Sequence, residues 1–254
     1  MTRSDTDPVR RAQQHAAAEL PKRFYKNASL AVRDGVCQLL LDGRPARTPA
    51  KNPLAVSHAA FAEELVKEWA AQKQHINPVQ MPFTRLANSA IDGVASAPDA
   101  VAAETAAYAK SDLLFYRAGQ PDGLVALQSQ HWDPVLDYFR DRYQTRFLLA
   151  EGLIYLDQPA ESVARISGLV QSYRKEPLCL AGLQVMTSLT GSVLIALAAA
   201  ENALSGDAAW EAAQVDEDWN ISQWGADAEA QARRAFRRRE FDVALVAAAH
   251  MSDQ

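Results

Sequence analysis

Apolar and polar positions alternate with a short period only near the beginning of the chain. Residues 28–32 and 36–41 are apolar-rich runs separated by Arg33-Asp34-Gly35, and Asp42-Gly43 precedes a third run over 44–48. Asp-Gly between such runs marks a hairpin, because glycine accepts positive φ without steric cost. The pattern predicts three short strands. Pro45, Pro49 and Pro53 deny ladder hydrogen bonds, so the sheet is expected to be small and to have edges.

From residue 57 the period lengthens. Ser57 stands where an N-cap belongs, and Phe61, Leu65 and Trp69 follow at spacings of four, with Glu63, Glu64, Lys67 and Glu68 on the other side. Residues 77–82 interrupt the pattern, and Thr84 offers a cap for a helix reaching about residue 95. Further helices are predicted over 98–108, over 122–143 with a break at Asp133-Pro134, over 159–173, and from Glu176-Pro177. Residues 191–204 are apolar nearly all round and read as the central buried helix; 207–219 and 227–249 complete the set.

The predicted fold class is α+β, a small β-rich N-terminal domain followed by a larger all-helical C-terminal domain. The expected boundaries are a flexible lead-in over 1–21, a β-rich domain over 22–95 and a helical domain over 96–254. Residues 177–200 carry no charge and are long enough to span a bilayer. Gln184, Thr187, Ser188, Thr190 and Ser192 interrupt them, and the longest unbroken apolar run, 193–200, is too short to span. A pair of buried core helices is the better reading.

Composition narrows the classes of function. The chain has 254 residues, 48% hydrophobic and 22% charged, enough for a real core, and its net charge of −5 argues against a nucleic-acid coat. Cys37 and Cys179 lie far apart, which fits a reducing compartment, and the five histidines are scattered with no zinc-ligand spacing. Near the start, Asp5, Asp7 and Glu19 sit among the arginines without an apolar run, unlike a signal or transit peptide. The reading is a bacterial cytoplasm, or a mitochondrial matrix if the source is eukaryotic.

No G-x-x-x-x-G-K, G-x-G-x-x-G or G-x-S-x-G motif occurs. Ser192 reads as a helix cap rather than a nucleophile. Asp216, Glu217 and Asp218 are consecutive and point in different directions around a helix, so a solvated face is expected before a metal or acid–base site. Arg233, Arg234, Arg237, Arg238 and Arg239 are flanked by Asp227, Glu229, Glu240 and Asp242. That run fits a structural ion network or a protein-partner contact better than nucleic-acid binding. Trp132 and Trp210 read as core. Trp219 and Trp224, near a break at Gly225, are candidates for an interface.

Several segments, in order along the chain, carry a more specific signal. They include Lys22-Arg23-Phe24-Tyr25-Lys26, Leu41-Asp42-Gly43-Arg44-Pro45, Thr48 to Leu54, Met81 to Asn88, Ala90-Ile91-Asp92-Gly93 and Ser111-Asp112-Leu113-Leu114. Trp132-Asp133-Pro134, Leu189-Thr190-Gly191-Ser192, Val215-Asp216-Glu217 and Trp224-Gly225 through Ala230 follow. Together, over about residues 22–245, the chain resembles the F1-ATPase alpha-subunit assembly chaperone family, with small departures at Phe115 and Glu176-Pro177-Leu178.

The resemblance implies a non-enzyme that binds the unassembled alpha subunit of F1 and shields its beta-facing surface. It implies no cofactor, no metal, no nucleic acid, no membrane insertion and no small-molecule substrate. The client-binding residues it suggests are Glu229, Asp227, Trp224, Trp219 and Glu217. The alternative is an enzyme of unknown class with a cleft in the helical domain.

Overall fold

A computed structural model describes residues 20–152, 155–225 and 227–249. The expected lead-in over 1–21 lies outside the described residues except for Leu20 and Pro21, whose carbonyl (Pro21) accepts from Ile76 N at 2.8 Å.

The sheet is built around one strand. β1 (Ala28–Arg33) runs antiparallel to β2 (Val36–Leu41) in the register Ala28↔Leu41 through Arg33↔Val36. β3 (Arg44–Pro45) and β4 (Ala55–Val56) share the other edge of β2. Asp34 and Gly35, and again Asp42 and Gly43, all have positive φ, as two tight hairpins require. The third strand is shorter than the expected 44–48 run, because Pro45 ends its pairing, and β4 was not anticipated. Along β2, Cys37, Leu39 and Leu41 are buried while Val36, Gln38 and Leu40 face outward.

The buried face of the sheet meets α1 (Ala59–Ala71) through Phe61 and Leu65. Two expected caps differ. His58, not Ser57, caps α1, its Nδ1 accepting from Phe61 N at 2.9 Å; Ser57 Oγ instead donates to Glu176 Oε2 at 3.0 Å. Thr84 lies inside α2 (Pro82–Asp92) rather than capping it. Glu68 of α1 accepts from Phe83 N at 2.7 Å and Thr84 N at 2.8 Å, so the start of α2 is satisfied by the neighbouring helix.

Among the described residues, the remainder holds one two-residue parallel pair, β5 (Tyr116–Arg117) with β6 (Ala150–Glu151), and is otherwise helices and their connections. α3 (Pro98–Ala107), α4 (Asp122–Tyr143), α5 (Ala160–Ser172), α6 (Pro177–Thr190) and α7 (Val193–Ala200) are followed by α8 (Gly206–Ala213), α9 (Val215–Trp224) and α10 (Ala228–Ala249). The architecture is therefore α+β, with a small N-terminal sheet and a predominantly helical remainder.

The expected break at Asp133-Pro134 does not occur. Pro134 sits inside a continuous α4. The proline removes one intrahelical hydrogen bond, but Trp132, Val135 and Phe139 around it are fully buried, and Trp132 Nε1 donates to Ala212 O at 2.7 Å. Burial of that face outweighs the lost bond. Conversely, the single helix expected over 207–219 is two, separated at Gln214.

All eight residues of α7 are buried, and α10 packs along α6 and touches α2, α7 and α8. The uncharged stretch over 177–200 is thus two core helices, and among the described residues no helix is long and apolar enough to cross a membrane. The buried residues of sheet and helices form one continuous core. In α5, Gly168 is exposed and a Cβ there would meet nothing within 4 Å. Gly168→Ala is therefore expected to stabilise the protein by about 0.5–1 kcal/mol, measured as a higher urea midpoint with unchanged slope.

Candidate functional site

Three of the residues singled out for client binding, Trp224, Asp227 and Glu229, lie at the corner between α9 and α10. Gly225 ends α9 with φ +80°, a conformation that favours glycine. Asp227 then caps α10, its Oδ1 accepting from Ala230 N at 2.8 Å. Glu229 lies in the first turn of α10 and pairs with Arg233 one turn on, with 82% of its side chain exposed. Trp224 presents its indole to solvent at 86% exposure.

Trp219 and Glu217 lie on α9 but do not join that corner in the same way. The Trp219 ring packs on α4, so close that a Cβ on Gly123 would come within 2.6 Å of it. It is a packing residue, and Gly123 is the position that admits it. Glu217 is half-buried, and with Asp218 it holds the Arg234 guanidinium above its ordinary range, the Asp218 hydrogen bond being the main cause.

The neighbouring acids also act within the fold. Asp218 pairs with Arg234 of α10, and Asp216 accepts from Gln128 Nε2 at 2.7 Å, whose Oε1 in turn accepts from Ala118 N at 2.8 Å. Asp216 and Asp218 thus diverge, as helical positions two apart must, but they tie α9 to α4 and α10 rather than forming a merely solvated face.

The arginine run is an ion network. Arg238 pairs with Asp207 of α8 and with Asp242, and Arg237 donates to Leu189 O at 2.7 Å. From α2, Arg85 pairs with Glu240 and lies 5.9 Å over the Phe236 ring. These contacts fix α10 along its length and hold the corner on rigid elements.

Sequence reasoning passed over Asp112. Its carboxylate is fully buried, where Oδ1 accepts from Leu114 N at 3.1 Å and Oδ2 from Leu194 N at 3.2 Å. Val193 N and the Ser192 hydroxyl also face it. Burial raises its pKa to about 6 against the lowering effect of those hydrogen bonds. Ser192 caps α7 as expected, accepting from Ile195 N at 3.0 Å, and Gly191 turns the chain with φ +70°. Both ends of this hub fall within segments singled out above, Ser111 to Leu114 and Leu189 to Ser192.

The helical portion does contain a cleft, of about 420 Å³, lined by Asp133, Asp137, Arg140, Thr145 and Arg146 among others. Its carboxylates are engaged: Asp137 by Arg140, and Asp133 by Arg117 at 2.8 Å. The arrangement offers ion pairs, not a nucleophile set beside a base. The Cys179 thiol is buried and pushed up to about 12 by that burial, the reverse of thiolate activation.

The sequence profile of the ATP12 chaperone protein matches residues 22–140. The crystal structure of the Atu1473 protein from Agrobacterium tumefaciens, described as a candidate chaperone, is similar at a TM-score of 0.86 with 47% identity. That match covers 98% of this chain and 92% of the other. Atp12 from Paracoccus denitrificans is similar at 0.83 with 33% identity, covering 91% of this chain and 98% of that one, and a single-site mutant of it matches equally. With such identity over nearly the whole length of both proteins, the chain belongs to the ATP12 chaperone family.

Proposed function

We propose that this protein is a non-catalytic assembly chaperone that binds the unassembled alpha subunit of F1-ATPase and covers its beta-facing surface until the beta subunit arrives. The working face is the α9–α10 corner, with Trp224, Asp227 and Glu229 at its tip and Glu217 and Trp219 supporting it from α9. The observation that carries this reading is the Trp224 indole, a large amphipathic ring exposed at 86% beside a capped and ion-paired helix start. Exposed rings on rigid supports are the usual anchors of protein interfaces.

An obligate subunit interface is large and apolar, so a lone subunit exposes an aggregation-prone face. A partner that binds only the folded subunit stabilises it by mass action, and the true neighbour displaces it later. Moderate affinity is sufficient and no fuel is needed. The setting is the bacterial cytoplasm.

Glu229→Lys and Trp224→Ala separate function from stability. The Glu229–Arg233 pair is exposed, and such pairs contribute at most a few tenths of a kcal/mol. Both variants should melt within a few degrees of wild type. Light scattering of isolated F1 alpha subunit at a one-to-one ratio should show protection by wild type and loss of most protection by either variant. Undiminished protection by both variants would remove the corner from the working face, and no protection by wild type would refute the client.

A further inference from the structure

A second surface lies at the opposite end of the chain, on the sheet and α1. Residues 22–56 contain seven Lys and Arg against Asp34 and Asp42, a net charge of +5. Residues 57–254 contain 16 bases against 26 acids, a net of −10. Beyond residue 57, eight of the twelve arginines pair with carboxylates. Among the described residues, by contrast, every ion pair lies beyond residue 63 and none reaches the basic segment.

Two of that segment's bases, Arg44 and Arg47, line a groove of about 570 Å³. Phe24, Tyr25 and Trp69 supply aromatic walls, and Arg44 and Arg47 stand on the rim. The floor is fixed: Tyr25 OH donates to Trp69 O at 2.6 Å, and the two rings are 5.5 Å apart. Arg23 stacks 4.6 Å over Tyr25 and donates to the carbonyls of Tyr25, Lys26 and Gln72, so its charge is held by backbone dipoles and not by a carboxylate. Arg47 donates to Lys51 O at 2.7 Å. The one acid in the lining, Asp42, is engaged by backbone donors. Its oxygens accept from Lys26 N and from Asn27 N at 2.8 Å, bonds that hold its carboxyl below the usual range. The Phe24 ring remains 73% exposed.

From this charge complementarity we infer that the groove takes an acidic peptide segment of the client that also carries an aromatic or aliphatic side chain. Its carboxylates would meet Arg44 and Arg47, and its apolar side chain would lie against Phe24, Tyr25 and Trp69. A groove of this volume accommodates a short peptide run, since binding pockets span roughly 300–1,000 Å³. Guanidinium groups without a carboxylate partner bind carboxylates with defined geometry, and complementary charge sets both encounter rate and specificity. The inference rests on the client reading above and adds a second contact, remote in sequence from the α9–α10 corner. A chaperone held at two surfaces gains from the effective concentration of the second once the first is bound.

The test places a photo-crosslinking p-benzoylphenylalanine at Phe24 in the full chain, mixed with isolated F1 alpha subunit. Mass spectrometry is expected to find the crosslink on an alpha-subunit stretch rich in Asp and Glu. The double variant Arg44→Glu/Arg47→Glu should lose that crosslink and bind at least tenfold more weakly in low salt, while melting within a few degrees of wild type. A complex that forms without this crosslink would overturn the inference. So would a crosslink to a neutral or basic stretch, to a second copy of this chain or to co-purifying nucleic acid, or unchanged affinity in the double variant. If wild type forms no complex with the alpha subunit, the client reading fails and the inference falls with it.

Discussion

Gly182→Val is expected to destabilise the protein by roughly 3 kcal/mol or more. Gly182 lies in the middle of α6, where α10 crosses. A Cβ at this position would stand 2.5 Å from Ala244 O and 3.0 Å from both Ala247 Cβ and Ala248 N. Two of those three atoms are backbone, so no rotamer change relieves the contact. The helices must separate, and both are in the core: Leu183 and Met186 on α6 and Ala244, Ala247 and Ala248 on α10 are buried. Separation would open voids among side chains packed at the density of an organic crystal.

Helix propensity works the other way, favouring Ala over Gly by about 1 kcal/mol, so Gly182→Ala should lose less than Gly182→Val. A compensating Ala247→Gly should not restore either variant, because the nearest atom belongs to the backbone of Ala244. Urea unfolding monitored by circular dichroism tests the ordering wild type, Gly182→Ala, Gly182→Val. A neutral Gly182→Val, or full rescue by Ala247→Gly, would show that α6 and α10 do not approach so closely. Gly168, in the exposed part of α5, provides the contrast: the same chemical change there is expected to stabilise.

The difference between those two glycines marks what a sequence can disclose. The two hairpins were legible because Asp34-Gly35 and Asp42-Gly43 encode their backbone locally, as positive φ. The ionic character of the arginine run was legible in part for the same reason, since the Glu229–Arg233 pair is a contact within one helical turn. The buried character of α7 followed from an unbroken apolar run.

What was misread depended on partners distant in the chain. Asp133-Pro134 reads as a helix break, and the buried contacts of Trp132, including its bond to Ala212, override it. Ser57 looks like the better cap beside His58, yet it is drawn away to Glu176, 119 residues on. Trp219 and Trp224 are alike in sequence context, but only the absent side chain of Gly123 reveals that the first has a socket. The groove at Phe24 was invisible because its walls come from residues 24, 25 and 69 and its charges from 44 and 47. The arginine run was readable as a network in kind, but its partners Asp207, Asp218 and Leu189 were not.

Asp112→Ala is expected to cost roughly 3 kcal/mol at pH 7, because it orphans several buried donors at once. The backbone N–H groups of Leu114 and Leu194 lose their acceptor, and those of Val193 and the hydroxyl of Ser192 lose theirs nearby. Three of these groups belong to the first turn of α7 and its cap, so the helix at the centre of the core loses its tether to the segment after α3. For a chain of this size each kcal/mol lowers the melting temperature by roughly 2–4 °C, and a fall of about 6–12 °C should be seen.

The pH dependence gives the sharper signature. Burial raises the folded-state pKa of Asp112 from 3.8 to about 6. The folded state therefore binds this proton more tightly than the unfolded chain. The resulting stabilisation is fully present below about pH 4 and is lost as pH rises through 6, amounting to about 3 kcal/mol over the window. A neutral carboxyl keeps an acceptor for the backbone donors and no longer carries the desolvation penalty of the ion. Alanine has neither state. The gap between wild type and Asp112→Ala should consequently widen, by up to about 3 kcal/mol, between pH 7 and pH 4. Other groups titrate in both proteins and cancel in the difference. Urea unfolding of the two proteins at pH 7, 5.5 and 4 measures that difference directly. A gap that is constant with pH, or that narrows on acidification, would mean that Asp112 is held as an ion by the four donors around it and that hydrogen bonding, not burial, sets its charge.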